Sequence, residues 1–171
     1  MWWYFVVLAA VAAERVAELI VARSNETWTR GRSAVEYGRR HYPVMVVLHT
    51  GLLVGCLVEV AVAERPPLPV LAGSMLVLVV LAQVLRWWCI GTLGRYWNTR
   101  VLVVPGARPV RSGPYRLLRH PNYVAVVVEG AALPLVHSAW VTAVTFTLAN
   151  AALLTVRIRC ENAALTRAVP A

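Results

Sequence analysis

The sequence predicts an all-α, polytopic membrane protein, and the composition, the apolar segments and the loop charges carry this prediction. Hydrophobic residues make up 59% of the 171 residues and charged residues only 15%, with a mean hydropathy of +0.62. Soluble domains are about half apolar and about a quarter charged. A chain this apolar is expected in lipid, where every backbone group must be paired internally and helices are favoured.

Five apolar segments approach the roughly 20 residues that a membrane-spanning helix needs. The fourth is short, because it would span about 25 Å at about 1.5 Å per residue, against a hydrocarbon core of about 30 Å. Pro134 and the following HSAW sequence predict that it forms a helical hairpin with the fifth. We interpret residues 1–171 as one domain. The predicted segments are about Trp2–Ala22, Pro43–Ala63, Val70–Ile90, Pro121–His137 and Trp140–Val156.

Loop charges predict the orientation of these helices. Of the 17 arginines, 15 lie between positions 23 and 42, between 86 and 119, or after 156. Because basic loops stay on the cytoplasmic side, the N-terminus is predicted outside, and both long loops and the C-terminus in the cytoplasm. The dispersed arginines argue against a nucleic-acid surface, and the scattered histidines argue against a metal site.

Several charged residues lie inside predicted apolar segments, where a charge is costly. Glu18 follows Glu14 by four residues and Arg15 by three, so the three can share one helix face. They are interpreted as a self-neutralising structural cluster, and the alternative is a polar wall of an active-site cavity. Glu129 in the fourth segment also needs a partner, and Glu59 is expected only at the membrane interface.

A basic loop leads directly into the fourth segment, in the stretch RSGPYRLLRHPNYVAVVVEG at residues 111–130. The sequence RVLVVPGARPVRSG before and into it has two short extended halves, which predict a hairpin-like lid around Pro105-Gly106. Pro121 suits the first position of a helix, where its missing N–H is harmless. His120 would then lie near the N-cap, at a helix end that attracts anions.

One end of the predicted bundle collects cationic donors, a carboxylate and aromatic rings. Arg116 and Arg119 precede the fourth segment, while Arg157 and Glu161 share a face at the end of the fifth. S-adenosyl-L-methionine presents a carboxylate, an ammonium, a ribose diol, an adenine and a sulfonium, and this mixture suits them. Charge alone is a weak argument, because arginine-rich loops also determine topology.

The segment GPYRLLRHPNY, with the later RIRCEN-x-x-L, resembles the isoprenylcysteine carboxyl methyltransferase and phospholipid methyltransferase family of membrane enzymes. The similarity covers about Leu85–Leu165. The N-terminal half and YWNTRVLVVPGARPV resemble a bacterial branch associated with type III polyketide synthases, whose members O-methylate alkylpyrones or alkylresorcinols. The resemblance implies a helical bundle in the bacterial inner membrane. It also implies a cytoplasmic pocket for S-adenosyl-L-methionine within residues 85–165 and a lipophilic acceptor that enters from the inner leaflet.

The resemblance also implies individual site residues. Arg157 is expected to position the acidic end of the substrate, and with Glu161 it forms the predicted catalytic pair. Two departures from the family pattern are Ala125, where many relatives have glycine, and Asn162, where a second glutamate is frequent. The implied cofactor-binding residues are Ala107, Arg108, Pro109, Val110, Tyr115, His120, Pro121, Asn122, Tyr123 and Glu161.

Two other functions remain open on sequence grounds. The RHPNY motif also resembles one in NADPH-dependent membrane sterol reductases, although those place Gly-Glu soon after the tyrosine and this chain has Val124-Ala125-Val126. A non-enzymatic scaffold or lipid-binding protein would use its arginines only for topology and for contact with anionic membrane lipids.

Overall fold

Five α-helices account for most of the computed structural model, which describes residues 2–168. The mainly helical fold is therefore confirmed, and each predicted segment corresponds to one helix, although the fourth was predicted to end two residues beyond α4. The first and fifth helices continue well beyond the predicted ends. The helices are α1 (Trp2–Arg30), α2 (His41–Ala63), α3 (Pro69–Leu93), α4 (Pro121–Leu135) and α5 (Trp140–Ala168).

Three stretches of these helices are long and apolar enough to cross a membrane: His41–Ala63, Pro69–Tyr96 and Trp140–Arg167. α1 carries three charged residues in its middle, and α4 has only 15 residues. The prediction of five spanning segments, and the prediction of orientation that depends on it, therefore remain predictions.

The helical hairpin predicted for the last two segments is present. α4 and α5 pack against each other, and the turn between them contains Ser138 in the left-handed conformation at φ 56°. Glu59 of α2 accepts hydrogen bonds from the backbone N–H groups of Val141 at 3.0 Å and Thr142 at 2.7 Å. The carboxylate thus caps the first turn of α5, whose N–H groups have no partner inside the helix. Glu59 thus has a structural role that the sequence did not predict, and its interfacial position stays a prediction.

The apolar core lies at the end of the bundle that contains the α4–α5 turn. Tyr4 and Leu133 are fully buried, and the Tyr4 hydroxyl donates to the Leu133 carbonyl at 2.9 Å. The Phe146 ring packs directly on Gly130, where an added Cβ would collide with it. This glycine therefore allows α4 and α5 to approach closely.

A buried ion-pair network joins α1, α3 and α4. Arg15 contacts Glu14 at 3.0 Å, Glu18 at 2.6 Å and Glu129 at 2.8 Å. Arg86, only 3% exposed, contacts Glu18 at 3.1 Å and also pairs with Glu129. Each buried charge therefore has at least one opposite partner, as the interpretation of a structural cluster requires.

A short antiparallel ribbon covers the end of α5. Strand β1 (Val35–Tyr37) pairs with β2 (Val101–Val103), with Glu36 opposite Leu102. The predicted hairpin around Pro105-Gly106 is therefore wrong, because its first half pairs with the α1–α2 connection instead. Its second half contains Pro109, which has no N–H to donate to a strand partner.

Ion pairs hold the ribbon to α1. Glu36 accepts hydrogen bonds from Arg30 at 2.7 Å and from Arg100 at 2.8 Å. Burial raises the pKa of the Glu36 carboxyl, but the hydrogen bonds from these two guanidiniums outweigh it and lower the pKa below its usual value. The ribbon is therefore anchored by an ionised carboxylate.

The chain from 94 to 100, which we call the strap, runs from α3 to the ribbon and is fixed by the end of α1. The Asn25 amide donates to the Trp97 carbonyl at 2.8 Å, and the Asn98 amide donates to the Thr29 hydroxyl at 3.2 Å. Asn25 and Thr29 are both buried. The strap is thus held in one position above the end of α5.

Candidate active site

The start of α4 and the end of α5 meet at one end of the bundle. The Tyr123 hydroxyl donates to Glu161 Oε2 at 2.6 Å, and His120 Nδ1 lies 3.6 Å from Glu161 Oε1. His120 Nε2 lies 3.1 Å from Asn162 Oδ1. The two motifs that carry the family resemblance, HPNY and RxxxEN, therefore form one cluster.

His120 belongs to this cluster through its ring. It occupies the N-cap position of α4 but makes no capping hydrogen bond, and Pro121 takes the first helical position as predicted. The ring stacks on Tyr123 with centroids 5.5 Å apart. The Glu161 carboxylate 3.6 Å from Nδ1 raises the pKa of His120, and this effect outweighs burial, which lowers it. The imidazolium form is thus favoured beside the carboxylate.

The two departures from the family pattern have clear places in the structure. Asn162 contacts His120 and so supports the ring where a second carboxylate would otherwise lie. Ala125 is fully buried and is four residues before Glu129, so it shares the face of α4 that packs on α3. Its methyl group therefore points away from the face that carries Tyr123.

Arg157 is a buried guanidinium without a carboxylate partner among the described residues. It is 7% exposed, and its Cζ lies 6.0 Å from the Tyr123 ring centroid. Nη2 donates to the Thr99 carbonyl at 3.0 Å, Nη1 lies 3.1 Å from Met45 Sδ, and Nε has no partner. An unpaired buried charge is strongly unfavourable, so such a group is suited to bind an anion.

Met45 and Thr99 were missed as site residues in the sequence. Both lie in segments that resemble the branch associated with type III polyketide synthases, EYGRRHYPVMVVLHT and YWNTR. Their residue types gave no signal, because a thioether is a weak acceptor and the Thr99 contact uses the backbone carbonyl. Proximity to Arg157 could be found only from the fold.

Tyr115 lies close to the cluster but its hydroxyl faces α3. It is in the short 3-10 helix Gly113–Arg116, which packs on α3 near Cys89, and burial raises the pKa of the phenol. Gly113, at φ +53°, packs so tightly on α3 that an added Cβ would lie 2.5 Å from the Thr92 hydroxyl. A glycine is therefore needed at this turn.

The remaining predicted site residues differ in their placement. The side-chain oxygen Oδ1 of Asn122 is buried without a hydrogen-bond partner, so an acceptor is available next to the cluster. No hydrogen bond or ion pair of the described residues joins the cluster to the loop after β2, which contains Ala107, Arg108, Pro109 and Val110. The role predicted for these four residues remains a prediction.

A groove of about 350 Å³ opens between α4 and α5 beside the cluster. One end is polar, with Arg119, His120 and Tyr123. The rest is apolar and consists of Leu118, Val124, Val127, Val128, Leu154 and Ile158. A molecule with an acidic end and a hydrocarbon tail matches this distribution.

Comparison with known proteins gives the family. Residues 75–167, just over half of the chain, match the model of the isoprenylcysteine carboxyl methyltransferase (ICMT) family. The uncharacterized protein YpbQ of Bacillus subtilis is 38% identical over 162 residues, which cover 95% of this chain and 96% of that protein. An uncharacterized protein of Haemophilus influenzae is 24% identical over 168 residues, 96% of each chain. Because the matched stretch contains both motifs of the cluster, the chain belongs to the isoprenylcysteine carboxyl methyltransferase family, whose members are membrane methyltransferases.

Proposed function

We propose that this methyltransferase uses S-adenosyl-L-methionine to methylate an acidic oxygen of a lipophilic molecule taken from the bilayer. The preferred acceptor is the enolic hydroxyl of an alkylpyrone, then an alkylresorcinol, then a prenylcysteine-like carboxylate. One observation carries the proposal. Tyr123 stands between the Glu161 carboxylate, 2.6 Å from its hydroxyl, and the unpaired Arg157 guanidinium, 6.0 Å from its ring.

The cluster fits the polar groups of this cofactor, which when bound supplies an electrophilic methyl group on a sulfonium. The Glu161 carboxylate can accept hydrogen bonds from an ammonium or from ribose hydroxyls. Asn122 offers a second, unpartnered acceptor. The N-terminus of α4, with Arg116 and Arg119 nearby in sequence, suits a carboxylate.

Arg157 fits the acceptor half of the reaction. A guanidinium in a dry site binds a carboxylate or an enolate oxygen through charge-assisted hydrogen bonds. Alkylpyrone enols and carboxylic acids ionise readily, so the protein needs no strong base. Its contribution is to orient the oxyanion and to exclude water, which can supply a large part of the acceleration of a displacement.

The apolar groove between α4 and α5 supports a lipophilic acceptor. It adjoins Tyr123 and lies between two helices, of which α5 is long enough to cross a membrane. An alkyl chain placed there would remain in an apolar environment while the acidic end reaches the cluster. The choice of an alkylpyrone rests on the resemblance of the N-terminal half to the branch associated with polyketide synthases.

Cofactor binding is tested with purified protein in detergent. We expect S-adenosylhomocysteine to bind the wild type and to bind Glu161→Gln at least about tenfold more weakly, because a charge-assisted contact is lost. Glu64→Gln is the matched control, since Glu64 is exposed at the end of α2. Folded wild-type protein that binds NADPH and not S-adenosylhomocysteine would refute the proposal and favour a reductase.

The acceptor is tested with membranes that contain the protein and a radiolabelled methyl donor. The added probes are an alkylpyrone with a free enol, an alkylresorcinol and a farnesylated cysteine derivative. We expect most label in the alkylpyrone, and none when Arg157 is replaced by leucine. Label confined to the farnesylated cysteine would assign the chain to carboxylate methylation instead.

A further inference from the structure

Met45 occupies an unusual position beside the buried Arg157. Its sulfur lies 3.1 Å from Nη1 of the guanidinium. A thioether is a weak hydrogen-bond acceptor, so this contact compensates little of the cost of burying a charged N–H group. Nε also has no partner, so two donors of the guanidinium, Nη1 and Nε, are weakly bonded or unbonded and can accept a better partner.

A third nitrogen of the same guanidinium, Nη2, is fixed. Nη2 donates to the Thr99 carbonyl at 3.0 Å, and Thr99 belongs to the strap that Asn25 and Thr29 hold against α1. An exchange of partners at Nη1 would therefore leave Arg157 in place. The side that can exchange is the side that Met45 covers.

We propose that Met45 determines acceptor specificity, because its thioether occupies the position beside Arg157 that the acidic oxygen of the acceptor takes. This inference rests on the proposed function and names a residue for the recognition of the acceptor. Methionine is unbranched and has three rotatable bonds, so its sulfur can leave Nη1 at low cost. An anionic oxygen then replaces a weak acceptor with a charge-assisted one.

The residue type at position 45 also keeps the site available. A carboxylate there would form a permanent ion pair with Arg157 and exclude a second anion. A leucine would keep the volume but offer no acceptor at all. Methionine therefore covers the guanidinium without neutralising it, which selects for acceptors that bring their own negative charge.

Met45→Glu is the decisive variant, with Met45→Gln as its neutral, equally long control. In Met45→Glu we expect the Tm to rise, because a buried unpaired guanidinium gains a counter-ion. Methyl transfer to the alkylpyrone probe should fall at least about tenfold, whereas affinity for S-adenosylhomocysteine stays within about twofold. Met45→Gln should have a smaller effect on transfer and no gain in Tm.

Met45→Leu provides a second, independent measurement. It removes the sulfur from Nη1, so KM for the alkylpyrone probe should fall while kcat changes little. Wild-type KM values in both Met45→Leu and Met45→Glu, with normal cofactor binding, would overturn the role of Met45 alone. A Met45→Glu protein that fails to fold would overturn it as well, because a carboxylate would then not fit beside Arg157. Absence of S-adenosylhomocysteine binding in the wild type would instead overturn the proposed function.

Discussion

Replacing Arg86 by methionine tests whether the buried ion-pair network holds α1, α3 and α4 together. Arg86 is 3% exposed and pairs with Glu18 and Glu129. The other guanidinium of the network, that of Arg15, pairs with these two carboxylates and with Glu14. Removal of Arg86 leaves three carboxylates with Arg15 alone. Breaking a buried ion pair costs about 3–5 kcal/mol. At about 2–4 °C per kcal/mol for a chain of this size, the Tm should fall by about 6–20 °C.

The assay is thermal unfolding of the purified protein in detergent, followed by tryptophan fluorescence. Arg23→Met is the control, because Arg23 is exposed on the same helix as Arg15 and its replacement should cost less than about 1 kcal/mol. The double variant Arg86→Met with Glu129→Gln should regain part of the lost Tm, since it removes one unpaired carboxylate. An Arg86→Met variant as stable as Arg23→Met would refute the reasoning.

Three further predictions follow from the structure. Glu59→Ala should lower the free energy of unfolding by about 1–2 kcal/mol, because the first turn of α5 loses its cap. Glu59→Gln should lose less. Equal Tm values for Glu59→Ala and the wild type would contradict this role. The pKa of His120 is raised in the folded protein. The contacts of the protonated ring therefore stabilise the fold fully below the unfolded pKa of about 6.5. This contribution is lost as the pH rises through the folded pKa. His120→Gln should therefore flatten the dependence of Tm on pH above that point, and an unchanged profile would exclude His120 as its origin. Gly113→Ala should destabilise the protein by about 1–3 kcal/mol, because the residue has a φ of +53° and packs on Thr92; an unchanged Tm would show that this turn can adjust.

Much of the fold follows from local sequence signals. Apolar length located all five helices, and Pro121 marked the first residue of α4. The spacing of Glu14, Arg15 and Glu18 predicted one charged face. The lengths of α1 and α5 were underestimated, because their ends are polar and continue as helices beyond the apolar part. Those extensions bring Asn25 to the strap and Glu161 to the candidate site.

The long-range contacts could not be predicted from one sequence. Pairing of Val35–Tyr37 with Val101–Val103 depends on how α1 and α3 place two distant loops. Glu59 caps a helix that begins 81 positions later, and no local pattern links the two. Met45 reaches Arg157 for the same reason. The motif residues of the candidate site could thus be predicted from the family resemblance. The contact between Met45 and Arg157 could not, because it depends on how α2 and α5 pack against each other.

The central claim is that the start of α4 and the end of α5 bind the cofactor jointly, through the contact between Tyr123 and Glu161. Calorimetric titration of S-adenosylhomocysteine into the wild type, Tyr123→Phe, Glu161→Gln and the double variant tests it most directly. We expect the wild type to bind, each single variant to bind more weakly, and the two losses to be non-additive by at least about 0.5 kcal/mol. Strictly additive losses, or variants that bind as tightly as the wild type, would contradict the account.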